Sequence, residues 1–223
     1  MRDLRARLRG PVPLLAVNPG GVALPVVDVL AEGGADLLFI DCERTAVDIG
    51  AVPALARAAQ AVGMGALVRS PSKDPAVLTR YLDCGLEGLV LPQVEHPDAC
   101  ALLAEVVRRA PHRTAPPLRI IQVESVAGHA RLDDIAAADI DLILIGPNDL
   151  AWSMGHDGDT AHPDVRAAVD DIARRLADRG VPFGLPVTAA TAASWARRGA
   201  RLFYASLRQC LLPAIENLRA TAP

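Results

Sequence analysis

The stretch "LILIGPNDL", residues 142–150, decides how the rest of the chain is interpreted. Four branched apolar residues in a row are typical of a strand that is buried on both faces of a parallel sheet. The Gly146-Pro147 pair ends that run, because glycine and proline together mark the point where a strand leaves the sheet. Asp149 then places a carboxylate just beyond the strand. In a parallel barrel this end of the strands carries the chemistry, so the first question is whether the whole chain builds one.

Apolar runs of the same kind recur along the chain and predict eight strands, at residues 13–17, 35–41, 66–69, 88–92, 118–123, 142–145, 182–186 and 201–205. Segments with helical periodicity lie between and after them, at residues 22–30, 52–62, 74–82, 97–109, 127–137, 163–177, 190–197 and 207–218. Strand and helix alternating eight times is the pattern of a parallel (β/α)8 barrel. We therefore expect one TIM-barrel domain over residues 1–223, with residues 151–162 forming a helix-free loop at its rim.

Composition excludes several classes of function. The net charge is −3 without a block of basic residues, which disfavours nucleic acid as a partner and favours a small molecule. There is no apolar stretch long enough to predict a membrane span. The four cysteines show no metal-ligand spacing, so we expect free thiols and a cytoplasmic protein.

Polar side chains follow five neighbouring predicted strands. They are Asp41, Glu43, Arg44, Arg69, Gln93, Glu95, His96, Gln122, Glu124 and Asp149. Because the carboxyl ends of parallel strands meet at one face of a barrel, we expect these side chains to form a single polar cluster.

Glu124 and Asp149 follow consecutive strands and should lie side by side at that face. Two close carboxylates repel each other unless one is protonated or a cation lies between them. Hard divalent ions prefer oxygen ligands and leave further coordination positions to water and substrate. The pair therefore predicts a site for Mg²⁺ or Mn²⁺, with Co²⁺ as a further candidate.

Arg69, at the end of the third strand, has two possible roles. Its guanidinium can bind a substrate carboxylate or stabilise an enolate oxygen, or it can neutralise Asp41 or Glu43. The backbone N–H groups that follow Gly146 and Pro147, beginning at Asn148, are candidates for binding a substrate carboxylate beside the metal.

Two motifs in this region carry a resemblance to a known family. Gln122-Val123-Glu124, together with the segment 146–150 followed by Met154-Gly155, resembles the signature of the HpcH/HpaI aldolase family. That family consists of metal-dependent class II aldolases that cleave 4-hydroxy-2-oxo acids to pyruvate and an aldehyde, and it is related to the citrate lyase β subunit. The similarity extends through "FIDCE" and "VRSPSKDPAVLTRYLDCGLEGLVLPQV" and spans nearly the whole chain.

The resemblance implies specific roles. Glu124 and Asp149 would bind the metal, Arg69 would polarise the pyruvyl oxygen, and Gln122 would make a supporting contact. Asp83 falls at the family's acidic position that supports a catalytic histidine. The family's barrels also exchange their last helix between subunits, which implies a homo-oligomer such as a trimer or hexamer.

The chain departs from the family pattern at two places. Where the family has Asp-x-Glu-His, this chain reads Asp41-Cys42-Glu43-Arg44, and an arginine cannot accept a proton at neutral pH. The connection between the fourth and fifth strands is also short, as it is in CoA-ester lyases related to citrate lyase. The base that replaces the histidine is open: a metal-bound hydroxide, Glu43, Glu95, His96 and His156 are all candidates.

The leading interpretation is a divalent-metal-dependent carbon–carbon lyase, an aldolase acting on a pyruvate-type 2-oxo acid through a metal-bound enolate. A Schiff-base mechanism is disfavoured, because the sole lysine, Lys73, lies beyond a strand end in "SPSKDP". Three alternatives stay open: an oxaloacetate-type decarboxylase in which Arg44 binds the departing carboxylate, a CoA-ester lyase, and a non-catalytic barrel that binds a 2-oxo acid.

Overall fold

The computed structural model describes residues 3–110 and 115–220. The strands are β1 (Leu14–Asn18), β2 (Leu37–Asp41), β3 (Gly65–Arg69), β4 (Gly88–Leu91), β5 (Leu118–Val123), β6 (Leu142–Ile145), β7 (Phe183–Pro186) and β8 (Leu202–Ser206). The helices are α1 (Leu4–Arg9), α2 (Leu24–Glu32), α3 (Val52–Ala61), α4 (Pro75–Leu82), α5 (Pro97–Arg109), α6 (Val126–Ala130), α7 (Leu132–Ala136), α8 (Pro147–Ser153), α9 (Pro163–Asp178), α10 (Ala192–Arg197) and α11 (Leu207–Ala220).

The eight strands form one closed barrel in chain order. Every neighbouring pair is parallel, and β1 pairs with β8 to complete the ring. The register places Asp41 opposite Arg69 and Val123 opposite Ile145, so the carboxyl ends of neighbouring strands lie at the same level. This confirms the predicted TIM-barrel fold, and each predicted strand overlaps an observed one.

The interior of the barrel is filled by alternate residues of the strands, because side chains along a strand point to opposite faces in turn. Its apolar core consists of Leu8, Leu14, Ala16, Leu37, Phe39, Leu67, Val90, Leu118, Ile120, Leu142, Leu144 and Leu202. The same alternation continued by one step reaches Asp41 above Phe39, Arg69 above Leu67, and Gln122 above Ile120. A layer of polar side chains therefore lies on top of the apolar core, at the carboxyl ends of the strands.

Helix α1 closes the opposite end of the barrel. Its Leu8 is 2% exposed and belongs to the interior core. Arg5 of the same helix holds Asp141, the residue before β6, with Nε 2.9 Å from Oδ1. Asp141 also accepts the backbone N–H of Arg119 at 2.8 Å. This end is occupied by packing and ion pairs, so the open end is the one that carries the polar layer.

Two predicted segments differ from the structure. The single helix expected over 127–137 is divided into α6 and α7 at Arg131. The loop expected over 151–162 begins inside a helix, because α8 continues to Ser153. Gly146 is the N-cap and Pro147 the first helical residue, a position where a missing N–H costs nothing. Ala151 is fully buried, so the second half of α8 is held by packing.

Helix α11 follows β8 directly and has no buried residue. Leu211, Leu212 and Ile215 are 47%, 41% and 50% exposed. The helix thus carries apolar side chains that the barrel of its own chain does not cover. In the part of the chain that the structure describes, no helix is both long and apolar enough to cross a membrane.

Candidate active site

The polar layer is organised by a buried ion pair between Asp41 at the end of β2 and Arg69 at the end of β3. Arg69 Nη2 lies 2.6 Å from Asp41 Oδ2, and Arg69 Nε lies 3.0 Å from Oδ1. Arg69 is 9% exposed and Asp41 is 3% exposed. Asp41 Oδ1 also accepts the backbone N–H groups of Glu43 and Arg44, each at 3.1 Å. The Asp41 carboxylate thus holds the Arg69 guanidinium in place and also fixes the backbone that follows β2.

Glu43 is drawn into this layer beside Arg69. Its Oε2 lies 3.1 Å from Arg69 Nε, but the hydrogen on that nitrogen points to Asp41. The buried Oε2 therefore has no hydrogen-bond partner among the described residues. Burial raises the pKa of the Glu43 carboxyl, against the opposing effect of the two nearby guanidinium groups. An unpartnered buried carboxylate oxygen is costly, and a cation would relieve that cost.

Glu124, one residue beyond β5, is the most deeply buried carboxylate at this end of the barrel, with 2% exposure. Its Oε1 accepts the backbone N–H of Gln93 at 2.7 Å, and its Oε2 accepts Nε2 of Gln122. Burial raises the pKa of Glu124 to about 7, the Gln93 N–H opposes that rise, and the nearby Asp149 carboxylate adds to it. The Glu124 carboxyl can therefore lose its proton near neutral pH when a metal ion binds to the same oxygens.

The backbone at Gln93 adopts a conformation that is uncommon for residues other than glycine. Its φ is +52°, in the left-handed region. This conformation accompanies two hydrogen bonds: its N–H to Glu124, and its carbonyl, which accepts Nζ of Lys73 at 2.6 Å. Backbone strain of this kind persists where the surrounding contacts enforce it, commonly at functional sites. The sole lysine is thereby bonded to the rim backbone and does not line the cavity.

Gly146, directly after β6, is a position where the structure has no room for a side chain. A Cβ at this position would lie 2.5 Å from Glu124 Oε2 and 2.8 Å from Gln122 Nε2. Both distances are shorter than atoms tolerate, so only glycine leaves room for these two side chains. The glycine in "LILIGPNDL" is therefore required by the side chains of Gln122 and Glu124, which belong to the neighbouring strand and its end.

Asp149 lies in the first turn of α8, directly beyond that glycine. Its Oδ1 accepts Nη2 of Arg44 at 2.6 Å. The Arg44 side chain is 53% exposed, so this pair is at the mouth of the site, whereas the Asp41–Arg69 pair is inside it. Arg44 occupies the position at which the resembling family has a histidine, and here it holds a candidate metal ligand.

These residues surround a cavity of about 240 Å³ at the open end of the barrel. Its lining consists of Phe39, Arg44, Arg69, Gln122, Leu144, Ile145, Gly146, Pro147, Asn148, Asp149, Pro186 and Tyr204. Seven of the predicted site residues are in that lining: Arg44, Arg69, Gln122, Gly146, Pro147, Asn148 and Asp149. Glu124 lies behind it, in contact with Gln122.

Asp83 is not brought to the cavity of its own chain. It is the exposed C-cap of α4, and it does not line the cavity. Since each helix of such a barrel runs antiparallel to its strands, the end of α4 leads back toward the start of β4 and away from the polar layer. Asp83 therefore does not reach the cavity of its own chain, and the supporting role that the resemblance implies for it stays a prediction.

Three of the side chains considered as replacement bases are also elsewhere. Glu95 accepts the hydroxyl of Ser125, and His96 caps helix α5. His156 stacks on His162. None of the three lines the cavity, and no histidine is among the described residues that do.

Tyr204, on β8, is a cavity residue that the sequence analysis missed. Its oxygen accepts Nδ2 of Asn18 at 3.0 Å, and the orientation of that amide is set because Asn18 Oδ1 accepts the N–H of Gly20. The phenolic O–H is therefore left to donate, and within the described ranges it has no acceptor. Burial raises the pKa of Tyr204, so the group stays protonated at neutral pH. The sequence signal that could have indicated it is its position: Tyr204 comes two residues after Leu202, so both side chains point to the inner face of the barrel.

The charges of this site are unequal. Four carboxylates face two guanidinium groups: Asp41, Glu43, Glu124 and Asp149 against Arg44 and Arg69. With all four ionised, the layer carries two uncompensated negative charges, which a single divalent cation would balance. The donors are oxygens, the ligands that Mg²⁺ and Mn²⁺ prefer. The residues present therefore fit a hard divalent cation.

The chain is similar to known proteins over most of its length. The sequence profile of the HpcH/HpaI aldolase/citrate lyase family matches residues 22–206. A pyruvate aldolase of Rhizobium etli is 30% identical over 208 residues, which are 82% of this chain and 80% of that protein. A hydroxypyruvate/pyruvate aldolase of Paraburkholderia phytofirmans is 31% identical over 212 residues, 82% of each chain.

A solved structure shows the same likeness in three dimensions. The crystal structure of an HpcH/HpaI aldolase/citrate lyase family protein from Burkholderia cenocepacia superposes with a TM-score of 0.88. The two sequences are 30% identical, and the match covers 97% of each chain. The profile match, the relatives and the superposition agree: this chain belongs to the HpcH/HpaI aldolase/citrate lyase family and is an aldolase/lyase of that class.

Proposed function

We propose that this protein is a divalent-metal-dependent carbon–carbon lyase that cleaves a pyruvate-type 2-oxo acid through an enolate. The observation that carries the proposal is the buried carboxylate of Glu124, held by Gln93 and Gln122 and close enough to the cavity residue Asp149 for that carboxylate to raise its pKa. Relatives named pyruvate aldolase and hydroxypyruvate/pyruvate aldolase support the substrate class.

Glu124 and Asp149 would hold the cation, which we propose to be Mg²⁺, Mn²⁺ or Co²⁺. When bound, it supplies the positive charge that polarises the 2-oxo group of the substrate. Arg69 adds a fixed donor, since Nε and Nη2 bind Asp41 while Nη1 has only a long contact of 3.5 Å, to Gln122. This third nitrogen is available to an oxygen on which negative charge develops.

The substrate carboxylate is assigned to the start of α8. Gly146, Pro147 and Asn148 line the cavity, and no side chain caps this helix. The first N–H groups of a helix have no partner within it, and they attract anions. Asn148 and Asp149 present such groups beside the candidate metal ligands.

Proton transfer is assigned to Tyr204, because Arg44 cannot accept a proton. The phenol points its hydrogen away from Asn18 and lines the same cavity as Arg69. As the carbon–carbon bond breaks, Glu43, beside Arg69 and with a buried Oε2 that has no partner among the described residues, accepts the proton of the substrate hydroxyl and later releases it to solvent. Tyr204 then donates the proton that converts the enolate carbon into the methyl group of pyruvate, and takes a proton back from solvent through the open mouth. The chain thus uses a donor on β8 where the family uses a histidine after β2.

The same substitution favours a second candidate reaction, decarboxylation of an oxaloacetate-type diacid. Loss of CO₂ forms the enolate without removing a hydroxyl proton, so no base is needed for that step. Arg44, half-exposed at the mouth, is placed to bind the second carboxylate of the diacid. Both reactions share the enolate and the proton donor. They differ in the bond that breaks and in the need for a base that removes a hydroxyl proton.

Removing the cation should abolish activity. We expect EDTA to stop pyruvate release from 4-hydroxy-2-oxo acids and from oxaloacetate, and Mn²⁺ to restore it. Asp149→Asn should lower kcat/KM by about 10²-fold or more, since changes even in residues behind metal ligands cost roughly 10–100-fold. The matched control is Asp98→Asn, at a carboxylate exposed on α5. Full turnover in EDTA contradicts the proposal, and cleavage of malyl-CoA in preference to free acids assigns the chain to the CoA-ester lyases.

Metal affinity should depend on pH through Glu124. The pKa of its carboxyl is raised to about 7, so below that pH the proton competes with the ion for the same oxygens. We expect Mn²⁺ affinity, followed by electron paramagnetic resonance, to fall by about tenfold per pH unit below neutrality and to level off above it. Glu124→Gln should bind weakly at every pH. A wild-type affinity that stays flat through this range would rule out Glu124 as a titrating ligand.

Removing the Tyr204 hydroxyl should slow proton transfer and leave binding intact. Tyr204→Phe keeps the edge-to-face contact with Phe39, whose ring centroid lies 5.0 Å away. With Mn²⁺ present, we expect exchange of the pyruvate methyl protons in D₂O to slow by about 10²-fold, as is typical when a general acid is lost. Pyruvate affinity should be unchanged. Tyr81→Phe, outside the cavity, is the control, and unaltered exchange in Tyr204→Phe would exclude the assigned role.

We propose further that α11 packs against a second copy of the chain, with exchange of this helix within a homo-oligomer such as a trimer or hexamer. Its apolar side chains are uncovered in one chain, and their exposure would otherwise be unfavourable. Leu212→Glu combined with Ile215→Glu should lower the molar mass measured by light scattering. An unchanged mass, or a monomeric wild-type protein, contradicts this arrangement.

A further inference from the structure

A second group of metal-ligand side chains stands apart from the cavity, in the connection between α8 and α9. His156 Nε2 lies 3.6 Å from Asp164 Oδ2, and His162 Nδ1 lies 3.8 Å from the same oxygen. Within residues 3–110 and 115–220, these three supply one donor atom each, with all three atoms inside 4.8 Å of one another. The two imidazole rings are stacked, with centroids 3.6 Å apart and planes 18° from parallel.

Helix capping accounts for two members of this group. His162 is the N-cap of α9, and its Nδ1 accepts the backbone N–H of Asp164 at 3.3 Å. The chain contains the same His-Pro-Asp cap at α5, where Nδ1 of His96 accepts the N–H of Asp98 at 3.3 Å. His156 has no counterpart at α5 and takes no part in the cap. The second imidazole is the feature that capping leaves unexplained.

The backbone holds both imidazoles on one side of a tight turn. The N–H of His156 bonds the carbonyl of Ala151 at 2.9 Å, which ties the turn to α8. Asp159 then links the two histidines, because its N–H donates to the His156 carbonyl at 2.8 Å and its own carbonyl accepts the N–H of His162 at 3.2 Å. The donor atoms are thus brought together by the turn, and the entropy lost on binding an ion is reduced.

We propose that His156, His162 and Asp164 form a second metal site, for a transition metal ion such as Zn²⁺, Co²⁺ or Ni²⁺. Two imidazoles and a carboxylate suit these ions, whereas the all-oxygen site in the cavity suits Mg²⁺ and Mn²⁺. Ligands at 2.0–2.1 Å around a tetrahedral ion lie roughly 3.3–3.4 Å apart. The distances of 3.6 and 3.8 Å to Asp164 Oδ2 are only slightly longer than that.

Binding turns the two rings out of their parallel stack, since the lone pairs of parallel imidazoles do not meet at one ion. If His162 binds through Nδ1, it also gives up the 3.3 Å hydrogen bond from Asp164, which is already long for its type. The fourth coordination position of the ion is left to water, because solvent reaches the site: His156 and His162 are partly exposed and Asp164 is exposed.

The site is connected to the cavity through the same turn. Gly158 has φ +78°, and a Cβ there would lie 2.7 Å from Trp152 Nε1 and 3.2 Å from Asn148 Oδ1. The turn therefore packs directly on Asn148, which lines the cavity. An ion held by His156 and His162 would brace this turn against the start of α8.

Titration of the metal-free full-length chain with Co²⁺, in the presence of excess Mg²⁺, tests the site. We expect one Co²⁺ per chain with the visible absorption of a nitrogen-ligated ion, and slower hydrogen exchange over residues 155–162. His156→Phe keeps an aromatic ring for stacking and removes the donor, and it should weaken binding at least about tenfold. Asp164→Asn, which keeps the capping N–H, should weaken it as well.

Two controls make the outcome decisive. His96→Phe alters the matched cap on α5 and should leave the Co²⁺ spectrum unchanged, whereas Asp149→Asn should remove only an ion bound in the cavity. Equal Co²⁺ binding by wild type and His156→Phe overturns the proposal, as does loss of the signal in Asp149→Asn. Equal binding in His156→Phe leaves the lyase assignment untouched, whereas loss of the signal in Asp149→Asn would locate the Co²⁺ in the cavity and support that assignment.

Discussion

The ion pair between Asp41 and Arg69 is the interaction on which the open end of the barrel depends. A buried charge is tolerated only when it is paired and hydrogen-bonded, and here the carboxylate and the guanidinium each satisfy the other along two bonds. Because Asp41 also accepts two backbone N–H groups, the same carboxylate sets the path of the chain through Glu43 and Arg44. The orientation of Arg69 toward the cavity is a consequence of this pairing.

The rest of the polar layer follows from where that pair lies. Arg69 lines the cavity, and Glu43 and Glu124 lie close to its guanidinium, which is already bonded to Asp41. Negative charge therefore accumulates toward Asp149. The core below is apolar and its far end is closed by α1, so the charge that Arg44 and Arg69 leave unbalanced can be neutralised only by a cation or a proton.

Arg44 changes the chemistry of this layer without changing its frame. The neighbouring residues Asp41 and Glu43 keep the family's pattern, but a group that exchanges protons is replaced by one that stays charged. Its contact with Asp149 adds positive charge at the mouth. The chemistry proposed for Tyr204 depends on this replacement, since a fixed cation after β2 leaves the phenol on β8 as the proton-donating group of the cavity.

The sequence by itself determined the barrel, because eight branched apolar runs separated by helical periods permit few other arrangements, and the observed strands overlap every run. It also located Glu124, Asp149, Arg69 and Gln122, since the ends of parallel strands must meet at one face. Tertiary structure alone decided which neighbours those residues have. The left-handed conformation of Gln93 has no local signal, and the strand alternation that points Tyr204 inward does not show that Asn18 leaves its hydroxyl free to donate. Asp83 could be separated from the cavity only once the direction of α4 was known. Asn18 and Tyr204 are distant in sequence and meet only because β1 pairs with β8 to close the barrel. No short sequence motif indicates such a pairing.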